Sequence, residues 1–296
     1  MLTVLPPMLL LLISVFASFL YDTTLNYFSK KCSASGTDIY AFSVVSSSVA
    51  TVLLLLLSDD LHLSLPTVLM SLLFGALIFS CNISAVNAFQ RGPMSLTKVL
   101  ITSSTLIAAL SGFFFWDESI SPAAGVGMVL MMLMVVLTAK RDDSDRKASR
   151  VWILLCVLAI FSSGFVGVTQ KLHQTSAYRN ELDGFLLVSF LLSTLTNLWQ
   201  YLRSRRKVAV SVTFSPRQAT FWLSLLCGVG MAFPHKINLY LSGILDSAIF
   251  FPLVNSIPLL LSLLAAIIFF RERPNLRQYI GILLGFAAVL LLSGIV

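Results

Sequence analysis

Nearly the whole of this 296-residue chain is divided into apolar stretches, each long enough to cross a bilayer, and that limits its fold more than any single motif does. A spanning helix needs about 20 predominantly apolar residues, because the hydrocarbon core is about 30 Å thick and each helical residue rises about 1.5 Å. Ten such stretches are present, near 4–28, 39–57, 66–89, 93–116, 120–139, 151–172, 184–202, 217–242, 246–270 and 277–296. Hydrophobic residues make up 57% of the chain and charged residues 11%, where a soluble domain carries about 25% charge. The expectation is an all-α integral membrane protein with ten transmembrane helices and almost no soluble domain. The first stretch has no basic segment ahead of it and is too long for the apolar core of a signal peptide, so it reads as a retained helix.

A motif occurs twice. Phe113-Phe114-Phe115-Trp116-Asp117-Glu118, with Gly127 nine positions after the glutamate, returns as Ile267-Ile268-Phe269-Phe270-Arg271-Glu272, with Gly281 nine after. Upstream, Asn87 to Gly92 is matched by Asn238 to Gly243, and Phe16-Ala17-Ser18 loosely by Phe161-Ser162-Ser163. The most polar run, Lys140 to Lys147, lies between the fifth and sixth stretches. The expected organisation is a five-helix repeat over 1–139, a linker over 140–150 and a second five-helix repeat over 151–296. Five is odd, so the second repeat enters the membrane from the opposite face and the repeats are inverted. A duplication of this kind in a membrane protein points to a transporter whose halves rock between two access states.

The net charge of +7 is a topology signal and not a nucleic-acid signal. Sixteen of the twenty Lys and Arg residues, from Lys30 to Arg277, fall in the odd-numbered loops. Asp59, Asp60, Asp117, Glu118, Glu181, Asp183 and Asp246 fall on the other side. The positive-inside rule puts the odd loops in the cytoplasm and both termini outside. Cys32, Cys81, Cys156 and Cys227 are scattered singly, as isolated thiols are, without disulfide or metal spacing. No nucleophile with a base, no HExxH and no phosphate loop is found, so the chain is expected not to be an enzyme and to need no cofactor. Its energy then comes from gradients or from exchange.

With these features the segments Gly92–Leu137 and Ile244–Leu292 resemble the EamA-like branch of the drug/metabolite transporter superfamily. The resemblance implies ten helices in two inverted repeats, each with an aromatic-rich helix, a short turn holding a glutamate, and a glycine opening the last helix. It implies transport across the cell membrane and leaves the solute open among amino acids, sugars, nucleotide sugars, polyols, cations and drugs. Members are usually drawn with both ends cytoplasmic; the charges here argue the reverse.

Ionisable groups inside hydrocarbon are costly and hence functional candidates. Three lie well inside: Asp22, Lys98 and Lys236. Asp22 and Lys98 fall roughly 8–9 Å below the same expected surface, where they pair, face a cavity together or snorkel. Pro234 is expected to bend the eighth span, leaving His235 and Lys236 to receive an anionic group, to relay a proton or to reach the interface. The ninth span is expected to break at Pro252 and Pro258, around Asn255 and Ser256, and its pseudo-equivalent stretch in the fourth span is the hydroxyl run Thr102-Ser103-Ser104-Thr105. The candidate binding set is Tyr21, Asp22, Lys98, Ser103, Ser104, His235, Lys236 and Asn255. Glu118 and Glu272 are expected to cap the helices that follow them, and Gly127 and Gly281 to complete the motif. The functional reading is a secondary active transporter of a small polar metabolite, amino-acid-like and zwitterionic or anionic, driven by a proton or a counter-substrate. Its partners are the lipid bilayer and the solute, without nucleic acid, and it works as a monomer or homodimer. An exporter of cationic drugs or quaternary amines and a lipid-linked carrier flippase are the alternatives.

Overall fold

The computed structural model describes residues 5–28, 32, 36–58, 61–92, 94–139, 149–206, 218–268 and 275–292. In chain order its helices are α1 (Pro7–Tyr27), α2 (Gly36–Leu56), α3 (Leu65–Arg91), α4 (Met94–Thr102), α5 (Thr105–Phe115), α6 (Pro122–Thr138), α7 (Arg150–Thr175), α8 (Leu182–Arg205), α9 (Ala219–Ser242), α10 (Ser247–Ile268) and α11 (Leu276–Leu292). A 3-10 turn, Arg179–Glu181, precedes α8, and no strand occurs among the described residues. Six of these segments are long and apolar enough to cross a membrane: those of α1, α2, α3, α7, α8 and α10. Shorter apolar helices cover Val99–Phe115, Pro122–Thr138 and Leu276–Leu292. Local chemistry sets several starts: Pro7 occupies the first turn of α1, and at α6 Ser121 Oγ accepts from Ala124 N at 3.1 Å ahead of Pro122. Proline at the first helical position gives up an N–H that would have had no partner there.

The expected breaks of the ninth span are corrected. α10 runs without interruption through Pro252 and Pro258, and Pro234 likewise lies inside the continuous α9. Each proline deletes one backbone bond, which a membrane helix tolerates when its neighbours hold it. Here Phe250, Phe251, Leu253 and Leu260 are buried around the prolines. Asn255 Nδ2 and Ser262 Oγ donate to the carbonyls of Phe251 and Pro258, at 2.9 and 2.8 Å. The break falls instead in the fourth stretch, at Ser103–Ser104, between α4 and α5. Ser104 N, Leu106 N and Ile107 N donate to the carbonyls three residues back, at 3.1, 3.0 and 3.0 Å, the tighter 3-10 pattern. Ser103 Oγ donates to Leu100 O at 2.6 Å, the kind of local bond by which serine competes with helical pairing.

The chain forms two compact units, each taking helices from both sides of the 140–150 linker. The first comprises Met1–Ala76 and His173–Gly243. In it α1 lies antiparallel to α9: Ser14 Oγ donates to Asn238 Oδ1 at 2.5 Å, and further along α1 a Cβ at Gly230 would come 3.1 Å from Tyr21 Cβ. α2 lies antiparallel to α8, with hydroxyl contacts Thr37 to Ser204 at 2.7 Å and Thr51 to Thr194 at 3.3 Å. The second unit comprises Leu77–Leu172 and Ile244–Val296. Its α6 and α11 are antiparallel and close, because Gly127 meets Leu292, Gly281 meets Thr138 and Gly285 meets Met134. A Cβ at any of the three would stand 2.5 to 2.8 Å from those side chains, the close approach for which membrane helices use small residues.

Candidate functional site

In the second unit the serine break and the proline helix meet at a small cavity of about 10 Å³, whose lining includes Thr102, Thr105, Pro252 and Ser256. These are the two neutral polar stretches singled out in the sequence. Ser104 Oγ donates to Ser163 Oγ of α7 at 2.8 Å and fixes the break. Ser256 is buried, and neither its hydroxyl nor that of Thr105 has a hydrogen bond among the described residues. Asn255 is exposed and is bonded to its own helix; Ser103 is likewise turned back on Leu100.

The charged candidates have other employment. In the first unit, Lys236 Nζ donates to Leu57 O at 2.9 Å and lies 2.7 Å from Asp183 Oδ1, tying α9 to the end of α2 and the start of α8. The hydrogen-bond alignment goes to the carbonyl, while the carboxylate supplies charge. His235 bonds through Nδ1 to Met231 O at 2.8 Å, so Nδ1 carries the proton, and its ring stands edge-on to Phe190 with 5.2 Å between centroids. Tyr21 packs beside Phe28, Phe42 and Cys227, and Asp22 is within electrostatic reach of Tyr21 and Cys227. Lys98 belongs to α4 in the second unit; its side chain lies outside what is described, as does Glu272.

Glu118 caps a helix, though not the one that follows it. Asp117 adopts φ 51°, a left-handed turn that short polar side chains tolerate, and Glu118 N returns to Gly112 O at 3.1 Å. Its carboxylate lies against Gly112, where a Cβ would collide with it. Oε2 accepts from Ser247 N, the start of α10, at 2.7 Å. Oε1 pairs with Lys171 of α7, which also donates to Leu245 O at 3.1 Å. The pair is 12% and 5% exposed. One carboxylate thus joins α5, α7 and α10 at one end of the second unit.

Sequence reasoning missed the polar row of α7. Ser162, Thr169, Gln170, Lys171, His173 and Gln174 are all buried, on a helix apolar enough to span a membrane. Gln174 Nε2 donates to His173 Nδ1 at 3.0 Å, which leaves the imidazole proton on Nε2, buried and without a partner among the described residues. The ring lies on that of Phe185, centroids 4.4 Å apart. An orphaned buried donor costs about 1–3 kcal/mol. Gln170 also makes no hydrogen bond among the described residues. The signal was readable as Gln170, His173 and Gln174 at helical spacing, but the expected span stopped at 172, ahead of His173 and Gln174. Among the described residues no group of His, Cys, Asp and Glu gathers to hold a metal. What the units offer is neutral hydrogen bonding inside an apolar bundle.

No curated protein matches the chain by sequence. In fold it is similar to a crystal structure described only as that of a protein, with TM-score 0.72, 15% identity and 96% of each chain covered; at that identity the likeness concerns the fold alone. Residues 150–294 match the EamA-like transporter family. The second half of the chain is therefore an EamA-like transporter domain, and this match supports membership of the drug/metabolite transporter superfamily of membrane transporters.

Proposed function

We propose that the protein is a secondary active transporter that moves a small polar metabolite, zwitterionic and amino-acid-like, across the cytoplasmic membrane by alternating access of two inverted five-helix repeats. The observation that carries the reading is the buried polar row on α7, with Gln170 and His173 Nε2 left unpartnered in an apolar helix. Polar groups at membrane depth face a bundle interior or a water-filled path, and a passing solute with hydroxyl, amino or carboxylate groups offsets their cost. Lys236 and Lys171 are committed to Asp183 and Glu118, so they add no net charge in favour of an anion. A zwitterion suits neutral donors and acceptors better. A proton or a counter-substrate supplies the drive.

Uptake into proteoliposomes of labelled amino acids, sugars, polyols and quaternary amines tests this. Zwitterions are expected to be taken up, faster under an imposed proton gradient or with unlabelled solute on the other side. Gln170→Leu is expected to lower kcat/KM about tenfold, the cost of about 1.4 kcal/mol for one lost hydrogen bond, at unchanged melting temperature. Transport confined to hydrophobic cations, or indifference to Gln170→Leu, overturns the reading.

A further inference from the structure

We propose that the cavity at the α4–α5 break is a binding site for a single soft monovalent metal ion, Cu(I) or its analogue Ag(I), held by the thioethers of Met128, Met131 and Met132. The three methionines stand at i, i+3 and i+4 on α6, one face of a helix, and all three line the same cavity. Met128 and Met131 are 6% and 3% exposed. Met134, on the same helix, shows the contrasting use of this side chain, since its sulfur fills the space left by Gly285 on α11. Four of the chain's nine methionines thus fall within seven residues, and three of the four open onto one space.

Size and charge select the occupant. At about 10 Å³ the cavity falls far below the roughly 300–1,000 Å³ of small-molecule sites and leaves room for a single water-sized occupant. Its lining contains no charged side chain, and a hard divalent cation such as Ca²⁺ or Mg²⁺ requires carboxylates. Thioethers are soft donors that select Cu(I), and a single positive charge is the least costly to bury. The hydroxyls of Thr105 and Ser256 on the facing wall leave an oxygen donor for a water or an open coordination position. None of the four cysteines lines the cavity, so its soft-metal chemistry rests on methionine. The residues that line this site are not those of the α7 polar row, and its test does not depend on which solute is carried.

The test is equilibrium binding of Ag(I), which is redox-inert, to the detergent-purified full chain with Cys32, Cys81, Cys156 and Cys227 replaced by serine. Silver retained after desalting is measured by elemental mass spectrometry. One Ag(I) per chain is expected, weakened at least tenfold by Met131→Leu and lost in M128L/M131L/M132L. Methionine to leucine nearly conserves volume, so a melting temperature close to that of the parent accompanies the loss. A second measurement uses the same cysteine-free chain. In it one equivalent of Ag(I) is expected to slow peroxide oxidation of Met128, Met131 and Met132 at least tenfold, read peptide by peptide, without effect on Met231. Equal silver retention by the triple leucine variant, retention that disappears with the cysteines, or absence of protection at the three methionines overturns the proposal.

Discussion

Glu118 shows how much one side chain can hold in a lipid-solvated protein. Its two oxygens serve a buried lysine and the first amide of another helix, and both needs are set by desolvation. Removing one partner of a buried pair leaves an uncompensated charge and costs about 3–5 kcal/mol, whereas removing both costs far less. Glu118→Gln and Lys171→Met are each expected to lower the melting temperature in detergent by roughly 5–10 °C, and the double variant to recover most of the loss. Additive losses in that double-mutant cycle would show that the two residues act separately. The Lys236–Asp183 pair is more exposed, at 18% and 15%. Lys236→Met is therefore expected to cost less, about 1.5 kcal/mol, seen as a smaller fall in the same melting assay.

At the scale of elements, apolar length carried most of the information. Among the described residues the stretches marked in the sequence as bilayer-spanning are helical, six of the segments being long and apolar enough to cross, as expected where only a helix satisfies its own backbone in hydrocarbon. The breaks were harder to read. Proline looked decisive at 252 and 258, yet one lost bond per proline is minor beside the burial of Phe250 to Leu253. Two adjacent serines at 103–104 were the weaker visible signal and mark the actual break. The two polar stretches stood out in the sequence, and Thr102, Thr105, Pro252 and Ser256 from them line one cavity, whereas the named candidates Ser103, Ser104 and Asn255 are not part of that lining. The ion pairs were not legible: Glu118 and Lys171 are 53 positions apart, and nothing local in either segment names the other. At this scale S103A/S104A is expected to restore helical i→i−4 bonding across the break. Amide hydrogen exchange over residues 103–107 would slow about tenfold, as for a gain of about 1.4 kcal/mol in local stability. Unchanged exchange would mean that packing against Ser163 and α10, not serine chemistry, sets the break.

For the whole molecule, the repeat and the charge pattern make separate statements. The recurring aromatic, glutamate and glycine motif belongs to the packing of helix ends, as Glu118 and the Gly127 and Gly281 contacts of α6 and α11 illustrate. Orientation is carried by charges outside the helices, where a bias in Lys and Arg acts during insertion and owes nothing to the finished fold. Sixteen of twenty basic residues in the odd loops argue for a cytoplasmic linker and external termini, against the orientation usual for the family. In a cysteine-free background, Ser144→Cys in the linker is expected to resist a membrane-impermeant maleimide in intact cells and to react once the cells are permeabilised. Ser58→Cys, just beyond α2, is expected to react in intact cells. The reverse labelling would place the basic loops outside, and family architecture would then outweigh one of the most general rules of membrane insertion in this chain.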